Sequence, residues 1–266
     1  MLKQRVITAL VLVTVLLAAM LAEQSLYWQV FINLAVLVGF WEWLRFCKLS
    51  SVPMQALAYL GFAGVSSVLQ LGVIPMPLVV PIACLLWLIL FVFTMSNSLD
   101  FLHHRLLKVL IGMVILPVAA LIVIELKDLT HGPLWILCFM VAVWAADIGA
   151  YFVGRRFGKT KLAPQVSPGK TVEGLLGGLA FAMVLYAPVL FHWFALQPAV
   201  LLLATILVTV LVSVMGDLFE SKLKRFAGIK DSSQILPGHG GLLDRIDSLL
   251  SSAPFFAMGL IILGYW

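Results

Sequence analysis

The stretch GIKDSSQILPGHGGLLDRIDSLL, Gly228 to Leu250, gathers acidic and basic side chains around a Pro-Gly-His-Gly-Gly turn. Asp244 and Asp247 stand three positions apart, so on a helix that begins near Leu242 they would share one face. Two carboxylates this close repel each other unless something positive lies between them. A divalent cation with oxygen ligands meets that need better than Arg245 alone. The stretch therefore predicts a metal site, with the ion-pair network of a juxtamembrane turn as the alternative.

The glycine-rich turn at residues 237–241 is a second candidate feature of the same stretch. Its glycines can adopt conformations that other residues avoid, so the backbone can approach a ligand closely. The turn presents His239, and Lys230, Asp231 and Arg245 flank it. The turn therefore predicts a close approach of the backbone to a ligand, with His239 presented beside it.

Residues 154–174 read GRRFGKTKLAPQVSPGKTVEG and contain Gly-Lys-Thr twice. A nucleotide-binding P-loop needs four residues between its first glycine and the Gly-Lys pair. Gly154 and Gly158 are separated by only three residues, and Pro164 occupies the first-glycine position for Gly169. The spacing excludes a P-loop.

The end of this segment still has the chemistry of an anion site. Ser167, Lys170 and Thr171 come just before a helix that we expect to open near Val172. Free backbone amides and the helix dipole favour an anion at such a position. The alternative is a set of cations that orient the chain in a membrane, with a capping serine or threonine.

Two further acids lie in or beside apolar runs. Asp147 lies in the apolar run VAVWAADIGAYFVG. Placing a carboxylate inside a membrane span costs free energy, and such carboxylates are usually functional or paired with a cation. An interfacial hydrogen-bond network is its alternative role. In VSVMGDLFESKLKRFAG, a continuing helix would place Asp217, Glu220 or Ser221, and Lys224 on one face. That face suits a metal ion and a phosphate, and a solvated amphipathic stretch is the simpler alternative.

The rest of the chain predicts helices that cross a membrane. It is 63% hydrophobic and 11% charged, which excludes an ordinary soluble domain. The net charge of +5 is better explained by membrane orientation than by nucleic-acid binding. Nine apolar stretches are long enough to span a bilayer: Val6 to Ala22, Leu26 to Leu44, Met54 to Val73, Met76 to Thr94, Leu106 to Ile124, Gly132 to Phe152, Val172 to Phe191, Pro198 to Met215 and Leu249 to Trp266.

The distribution of basic residues predicts the orientation. With nine spans, every one of the 17 Lys and Arg residues except Lys127 falls on the side of the amino terminus. This asymmetry predicts a cytoplasmic amino terminus. The first segment, residues 1–23, has no clean signal-peptide cleavage site, so we expect an uncleaved first span. The three cysteines have no metal or disulfide spacing and are interpreted as small apolar residues.

These features predict an all-α polytopic integral membrane protein in two parts. Residues 1–130 would form amino-terminal transmembrane helices. Residues 131–266 would form the catalytic transmembrane region, with two long cytoplasmic loops at 153–171 and 216–248. Because acids that hold a metal and bases that hold phosphate occur together there, the loops predict phosphoryl or nucleotidyl transfer.

The segment SKLKRFAGIKDSSQILPGHGGLLDRIDS, Ser221 to Ser248, resembles the signature of the phosphatidate cytidylyltransferases, or CDP-diacylglycerol synthases. The resemblance extends upstream to GDLFES and FGKTKLAPQVSPGKTVEG and covers roughly Asp147 to Pro254. It implies a magnesium-dependent reaction of CTP with phosphatidic acid, in the cell (inner) membrane with the active site facing the cytoplasm, and by a homodimer. Whether a second metal ion takes part is left open.

The resemblance also implies roles for individual residues. Metal would be held by Asp217, Asp244 and Asp247, with Asp147 as a further candidate. Substrate phosphates would be bound by Ser167, Lys170, Thr171, Lys224 and Arg225, and the catalytic pocket would be completed by Lys230, Asp231, His239 and Arg245. The alternatives are a CTP-dependent lipid kinase, a cytidylyltransferase for another lipid phosphate and, more remotely, a secondary transporter.

Overall fold

The computed structural model describes residues 2–96 and 103–266. This part of the chain contains nine long helices and one β-hairpin. The helices are α1 (Leu2–Leu21), α2 (Ser25–Phe46), α3 (Val52–Gln70), α4 (Met76–Met95), α5 (Arg105–Asp128), α6 (Gly132–Phe157), α7 (Val172–Trp193), α8 (Leu196–Ala227) and α9 (Leu243–Ile262). The hairpin strands are β1 (Lys161–Ala163) and β2 (Ser167–Thr171), which pair antiparallel.

Eight of the nine described helices are long and apolar enough to cross a bilayer, so the chain is a multi-pass membrane protein. The helix that does not qualify is α2, which contains the predicted span Leu26 to Leu44. It carries Gln29, Asn33 and Glu42 within its apolar sequence. The predicted span Leu26 to Leu44 is therefore a helix, but its role as a membrane span stays a prediction.

The hairpin is a departure from the all-α prediction. Residues 158–171 were expected to be an open loop, but the N–H of Val172 donates to Thr160 O at 2.9 Å, and β1 and β2 pair beside that bond. Because β2 runs into α7 without an intervening loop, the segment has no room for a P-loop, in agreement with its spacing.

Both predicted long loops are shorter in the structure, because the preceding helices continue into them. Helix α6 ends at Phe157 and α8 ends at Ala227. At about 1.5 Å per residue, the 32 residues of α8 measure about 48 Å, well beyond the roughly 30 Å hydrocarbon core of a bilayer. The polar end of α8 from Asp217 onward can therefore project out of the membrane as a helix.

The chain divides into two compact units, each assembled from three segments. The first unit is Met1–Met76, Ser98–Pro133 and Leu223–Ile246, and the second is Pro77–Asn97, Leu134–Lys222 and Asp247–Trp266. The predicted division into residues 1–130 and 131–266 concerned function and stays a prediction.

The first unit is built on α2, which packs against α1 and α5, while α3 also packs against α5. The rings of Phe40 and Phe62 stack with centroids 4.4 Å apart. The Trp43 indole donates to Lys108 O at 2.8 Å and lies where a Cβ on Gly112 would be, so only glycine allows this approach.

The second unit relies on small residues where its helices meet. Helices α6 and α7 approach each other at Gly178, where a Cβ would lie 2.5 Å from Ala146 O. Helices α8 and α9 approach at Gly259, where a Cβ would collide with the Thr205 side chain. Close helix contacts through small residues are the usual packing of membrane helices, since burial of apolar surface contributes little within lipid.

Three lysines donate to carbonyl groups at the ends of helices. The Lys222 ammonium donates to Phe93 O, Thr94 O and Ser96 O at 2.8, 3.0 and 2.8 Å, at the end of α4. Lys127 donates to Ala22 O at 2.9 Å after α1, and Lys108 donates to Phe46 O at 3.2 Å in α2. A cation at this end of a helix balances the helix dipole and the unpaired carbonyls. Lys127, the exception to the charge asymmetry, thus has a local structural role.

The cysteines agree with their interpretation as apolar residues. Cys47 and Cys84 are buried, and all three are free thiols. Burial raises the pKa of the Cys47 thiol to about 12, so at neutral pH it carries no charge.

Candidate active site

An ion pair between Lys170 and Asp217 forms the polar cluster of the second unit. The Lys170 ammonium lies 2.6 Å from an Asp217 oxygen, and the two side chains keep 25% and 32% of their surface exposed. Asp147 interacts electrostatically with both residues. The Ser221 hydroxyl donates to Asp217 at 3.2 Å, one turn along α8. The structure therefore brings together three residues that were predicted from separate motifs.

The hairpin and the start of α7 hold Lys170 in place. Thr171 is the N-cap of α7, and its hydroxyl accepts the N–H of the residue three positions later at 3.1 Å. The Glu173 carboxylate accepts the N–H groups of Lys159 and Thr160 at 3.1 Å and ties the base of the hairpin to α7. The predicted helix start is confirmed. The Thr171 hydroxyl performs the capping role that was the alternative, and its contact with substrate stays a prediction.

Asp217 follows a glycine at which α8 and α9 approach closely. A Cβ on Gly216 would lie 2.5 Å from Asp247 O and would collide with the Ser251 hydroxyl. That hydroxyl donates to Val212 O at 3.0 Å, which links the two helices. The glycine thus places the backbones of two predicted metal ligands close together.

Asp244 is the centre of the polar cluster of the first unit. One carboxylate oxygen lies 2.6 Å from the Lys224 ammonium, and the side chains of Asp244 and Lys224 are only 7% and 12% exposed. The other oxygen accepts the N–H groups of Ser232 and Gly241 at 3.0 and 2.9 Å and the Ser232 hydroxyl at 3.1 Å. The positive partner of Asp244 is thus Lys224, where the sequence indicated a metal ion or Arg245. Its role as a metal ligand stays a prediction.

Glu42 is a functional candidate that the sequence interpretation missed. This α2 residue is fully buried, and its carboxylate accepts the hydroxyls of Ser232 and Ser233 at 3.1 and 2.5 Å. It also accepts the N–H groups of Leu242 and Leu243 at 2.9 and 2.6 Å, at the start of α9. Four donors to one buried carboxylate fix the segment that carries Asp231, His239 and Asp244. Glu42 is an acid inside a predicted membrane span. That signal drew attention to Asp147 and could also have identified Glu42.

The four predicted catalytic residues share a cavity of about 670 Å³ in the first unit. Its lining residues are Arg5, Lys230, Asp231, Gln234, Leu236, Pro237, Gly238, His239, Gly240 and Arg245. The Arg245 guanidinium donates to His239 O at 2.8 Å and so braces the turn. These four residues line the same cavity, and the chemical roles predicted for them stay predictions.

The remaining predicted residues lie at the ends of secondary-structure elements. Arg225 is exposed in the last turn of α8, and Ser167 is half-buried at the start of β2. Asp247 is half-buried in α9, where one of its oxygens accepts the N–H of Ser248 at 2.7 Å. The substrate and metal roles assigned to these residues stay predictions.

The carboxylate oxygens near Lys170 fit a metal ion that has few protein ligands and takes its other ligands from the substrate and from water. Over residues 2–96 and 103–266, no three His, Cys, Asp or Glu side chains converge as a complete protein-only metal site. Magnesium usually takes only one or two protein carboxylates, with water and substrate phosphates as its other ligands. Asp217, which is paired with Lys170, and Asp147, which interacts electrostatically with both, are the carboxylates of this kind in the second unit.

Comparison with known proteins places the chain in a family. A model of the Cytidylyltransferase family matches residues 3–263. The chain is 40% identical over 266 residues to the phosphatidate cytidylyltransferase of Pseudomonas aeruginosa, covering 97% of this chain and 96% of that one. It is 38% identical over 286 residues to that of Haemophilus influenzae, covering 97% and 98%, and 47% identical over 136 residues to that of Bacillus subtilis, covering 50% and 49%. The chain belongs to the cytidylyltransferase family.

Proposed function

We propose that this protein is a phosphatidate cytidylyltransferase, which makes CDP-diacylglycerol and pyrophosphate from CTP and phosphatidic acid. The observation that carries the proposal is the presence of two lysine–aspartate pairs, Lys170 with Asp217 and Lys224 with Asp244, each with 2.6 Å between the charged atoms. The relatives that align over nearly the whole chain bear the same activity in their names.

Each pair contains the two kinds of group that a metal–nucleotide complex needs. Without ligand, the lysine and the aspartate neutralise each other. When a phosphate and a divalent cation arrive, the lysine can turn to the phosphate and the carboxylate to the cation, so no charge is left unpaired in either state. The exchange also gives a reason for placing cations and acids together beside apolar helices.

The reaction needs positioning more than proton transfer. A phosphate oxygen of phosphatidic acid attacks the α-phosphorus of CTP, and the bond from that phosphorus to the bridging oxygen of the β-phosphate breaks. The cytidine monophosphate group moves to the lipid, and pyrophosphate leaves with the bonding electron pair. Because the attacking oxygen is already anionic at neutral pH, no strong general base is required. Lys170, in the second unit, and Lys224, in the first, would each bind and position a substrate phosphate.

We assign the magnesium ion to Asp147 and Asp217 of the second unit, with Asp247 of the same unit as a further predicted ligand. Asp244, in the first unit, stays a separately predicted metal ligand. Magnesium would supply charge neutralisation for the triphosphate and the leaving pyrophosphate. Arg225, Arg245 and Lys230 are proposed to bind phosphate oxygens. Ser167 and Thr171 would contact a phosphate at the start of α7, and Asp231 and His239 would orient the nucleotide.

The charge asymmetry of the sequence supports a cytoplasmic orientation for the reaction. With the basic loops in the cytoplasm of a bacterial cell, CTP arrives from water and phosphatidic acid from the inner membrane. The family resemblance supports a homodimer, which chemical cross-linking of the protein in native membranes would detect.

The decisive experiment is nucleotide selection by the purified protein. Detergent-solubilised protein is incubated with phosphatidic acid, Mg²⁺ and each of the four ribonucleoside triphosphates in turn, and pyrophosphate release is measured. Only CTP should react, and cytidine-labelled CTP should transfer its label to the lipid. Transfer of the terminal phosphate alone would instead identify a lipid kinase, and solute flux in proteoliposomes without nucleotide turnover would identify a transporter.

A further inference from the structure

The cavity of the first unit contains a cation from the opposite end of the chain. Arg5, in the first turns of α1, lines it together with Lys230 and Arg245, which are more than 220 residues away in sequence. Arg5 belongs to none of the motifs that predicted the site. Its position is therefore information that only the folded chain provides.

Two contacts fix the start of α1 against the glycine-rich turn. The Thr8 hydroxyl donates to Pro237 O at 3.1 Å. Gly238 has a φ of +78°, and a Cβ there would lie 2.9 Å from Cγ of Arg5. Gly238 is thus required both for its backbone conformation and for the close approach of the arginine. Arg5 is built into the cavity wall through these contacts.

The charge of the cavity suits a polyanion. Three permanent cations and one acid, Asp231, leave a formal charge of +2 among its lining side chains. The Nδ1 atom of His239 is buried and has no hydrogen-bond partner in the described chain, so it can take one from a ligand. The volume of about 670 Å³ lies within the roughly 300–1,000 Å³ of small-molecule sites.

The side chains that line the cavity favour phosphate groups over a nucleobase or an acyl chain. The described lining residues include no Phe, Tyr or Trp on which cytosine could stack, and Leu236 and Pro237 are the apolar members. Arginine and lysine are the usual ligands of phosphate oxygens. A triphosphate also presents more oxygen atoms to three separate cations than the single phosphate group of a monoester does.

We propose that Arg5 is a further substrate-binding residue, and that it binds the β- and γ-phosphates of CTP, the part that leaves as pyrophosphate. This inference rests on the proposed function. It makes the cytoplasmic end of the first helix part of the nucleotide site, with Lys230 and Arg245 as its neighbours in the cavity.

Steady-state kinetics of Arg5→Gln and Arg5→Lys test the proposal. Loss of a charge-assisted hydrogen bond should raise the KM for CTP in Arg5→Gln by about tenfold or more. The KM for phosphatidic acid in mixed micelles should stay unchanged, and Arg5→Lys should show a smaller rise. Arg105→Gln removes an exposed cation from the first turn of α5, outside the cavity, and should leave both constants unchanged.

Two results would overturn the proposal. One is an unchanged KM for CTP in Arg5→Gln, and the other is a rise confined to phosphatidic acid, which would assign the arginine to the lipid phosphate. If Arg5→Gln does not fold, the KM for CTP is measured in Arg5→Lys instead. A KM equal to that of the wild type in this variant also contradicts the proposal.

A binding measurement separates this inference from the proposed function. Inorganic pyrophosphate, titrated calorimetrically into the wild-type protein and Arg5→Gln, should bind the variant at least about tenfold more weakly. If the wild type fails to release pyrophosphate from CTP, the proposed function is wrong, and the titration still tests the cavity. Equal pyrophosphate affinity in both proteins would contradict the role of Arg5.

Discussion

The two lysine–aspartate pairs differ in how far they are exposed, and this difference separates their expected roles. Asp217 keeps about a third of its side-chain surface exposed, whereas Asp244 keeps 7%. An exposed carboxylate can exchange its lysine for a metal ion at little cost. A buried carboxylate with four donors also holds its surroundings together, so its loss should reduce stability as well as activity.

Asp217→Asn should lower kcat/KM for CTP by about 100-fold or more, since it removes a charge that neutralises the reacting phosphates. It should also raise the Mg²⁺ concentration needed for half-maximal activity. Pyrophosphate release measured across a magnesium titration checks both effects, and the same titration applies to Asp247→Asn. Glu23→Gln, which changes an exposed acid in the turn after α1, is the control. A wild-type rate in both aspartate variants would show that the metal assignment is wrong.

Lys224→Met should destabilise the protein by about 3–5 kcal/mol, because it leaves the buried Asp244 carboxylate without its cation. The double variant Lys224→Met/Asp244→Asn should recover part of that loss but not the activity. Thermal unfolding in detergent measures the effect, and Arg225→Met, next to Lys224 but exposed, serves as the stability control. Equal unfolding temperatures for Lys224→Met and Arg225→Met would contradict a structural role for the pair.

At the scale of elements, α2 determines the geometry of the segment between α8 and α9. The Glu42 carboxylate binds two serines of that segment and two N–H groups at the start of α9, while the Arg45 guanidinium donates to Ser232 O at 2.5 Å. A helix of the amino-terminal half thus positions residues of the signature motif. The family resemblance in the sequence covered roughly Asp147 to Pro254, so this dependence on the amino-terminal half was not expected.

Glu42→Gln should be strongly harmful although it preserves size. A carboxylate can accept all four donors, whereas a glutamine amide accepts through one oxygen and directs its own N–H groups at the remaining donors. Each buried donor left unpaired costs about 1–3 kcal/mol. Lower thermal stability and faster proteolysis between residues 231 and 242 are the expected readouts.

Glu125→Gln is the matched control for this substitution, since Glu125 is a half-buried acid on α5 of the same unit. It should retain the proteolysis pattern of the wild type. If Glu42→Gln also kept the proteolysis pattern and the unfolding temperature of the wild type, the role assigned to Glu42 in fixing the segment before α9 would be wrong.

Local sequence patterns predicted the helices near the site but not the hairpin. The continuation of α8 through Lys224 and the start of α7 at Val172 follow from helix periodicity and capping, which involve residues three or four positions apart. The hairpin was missed because its Pro- and Gly-containing sequence reads as a loop. The hydrogen bonds that the Glu173 carboxylate accepts from the N–H groups of Lys159 and Thr160 hold the start of the hairpin, and local propensity does not encode them.

At the scale of the whole molecule, orientation in the membrane is the prediction with the widest consequences. On a background without the native cysteines, Gln165→Cys in the hairpin should react with an impermeant maleimide only from the cytoplasmic side. His131→Cys, between α5 and α6, should react only from the opposite side. Both positions are exposed, and labelling after detergent solubilisation controls for reactivity. The reverse pattern would contradict the charge-based orientation.

The membrane class, most of the helices and the residues of the polar clusters could be predicted from the amino-acid sequence. Hydropathy, charge asymmetry and motif spacing are properties of neighbouring residues, so they can be interpreted without coordinates. The partners became known from the folded chain: Lys224 for Asp244, Glu42 for the start of α9, and Arg5 for the cavity. These contacts join residues from 20 to more than 200 positions apart, and packing alone selects among the many pairings that the charges would allow.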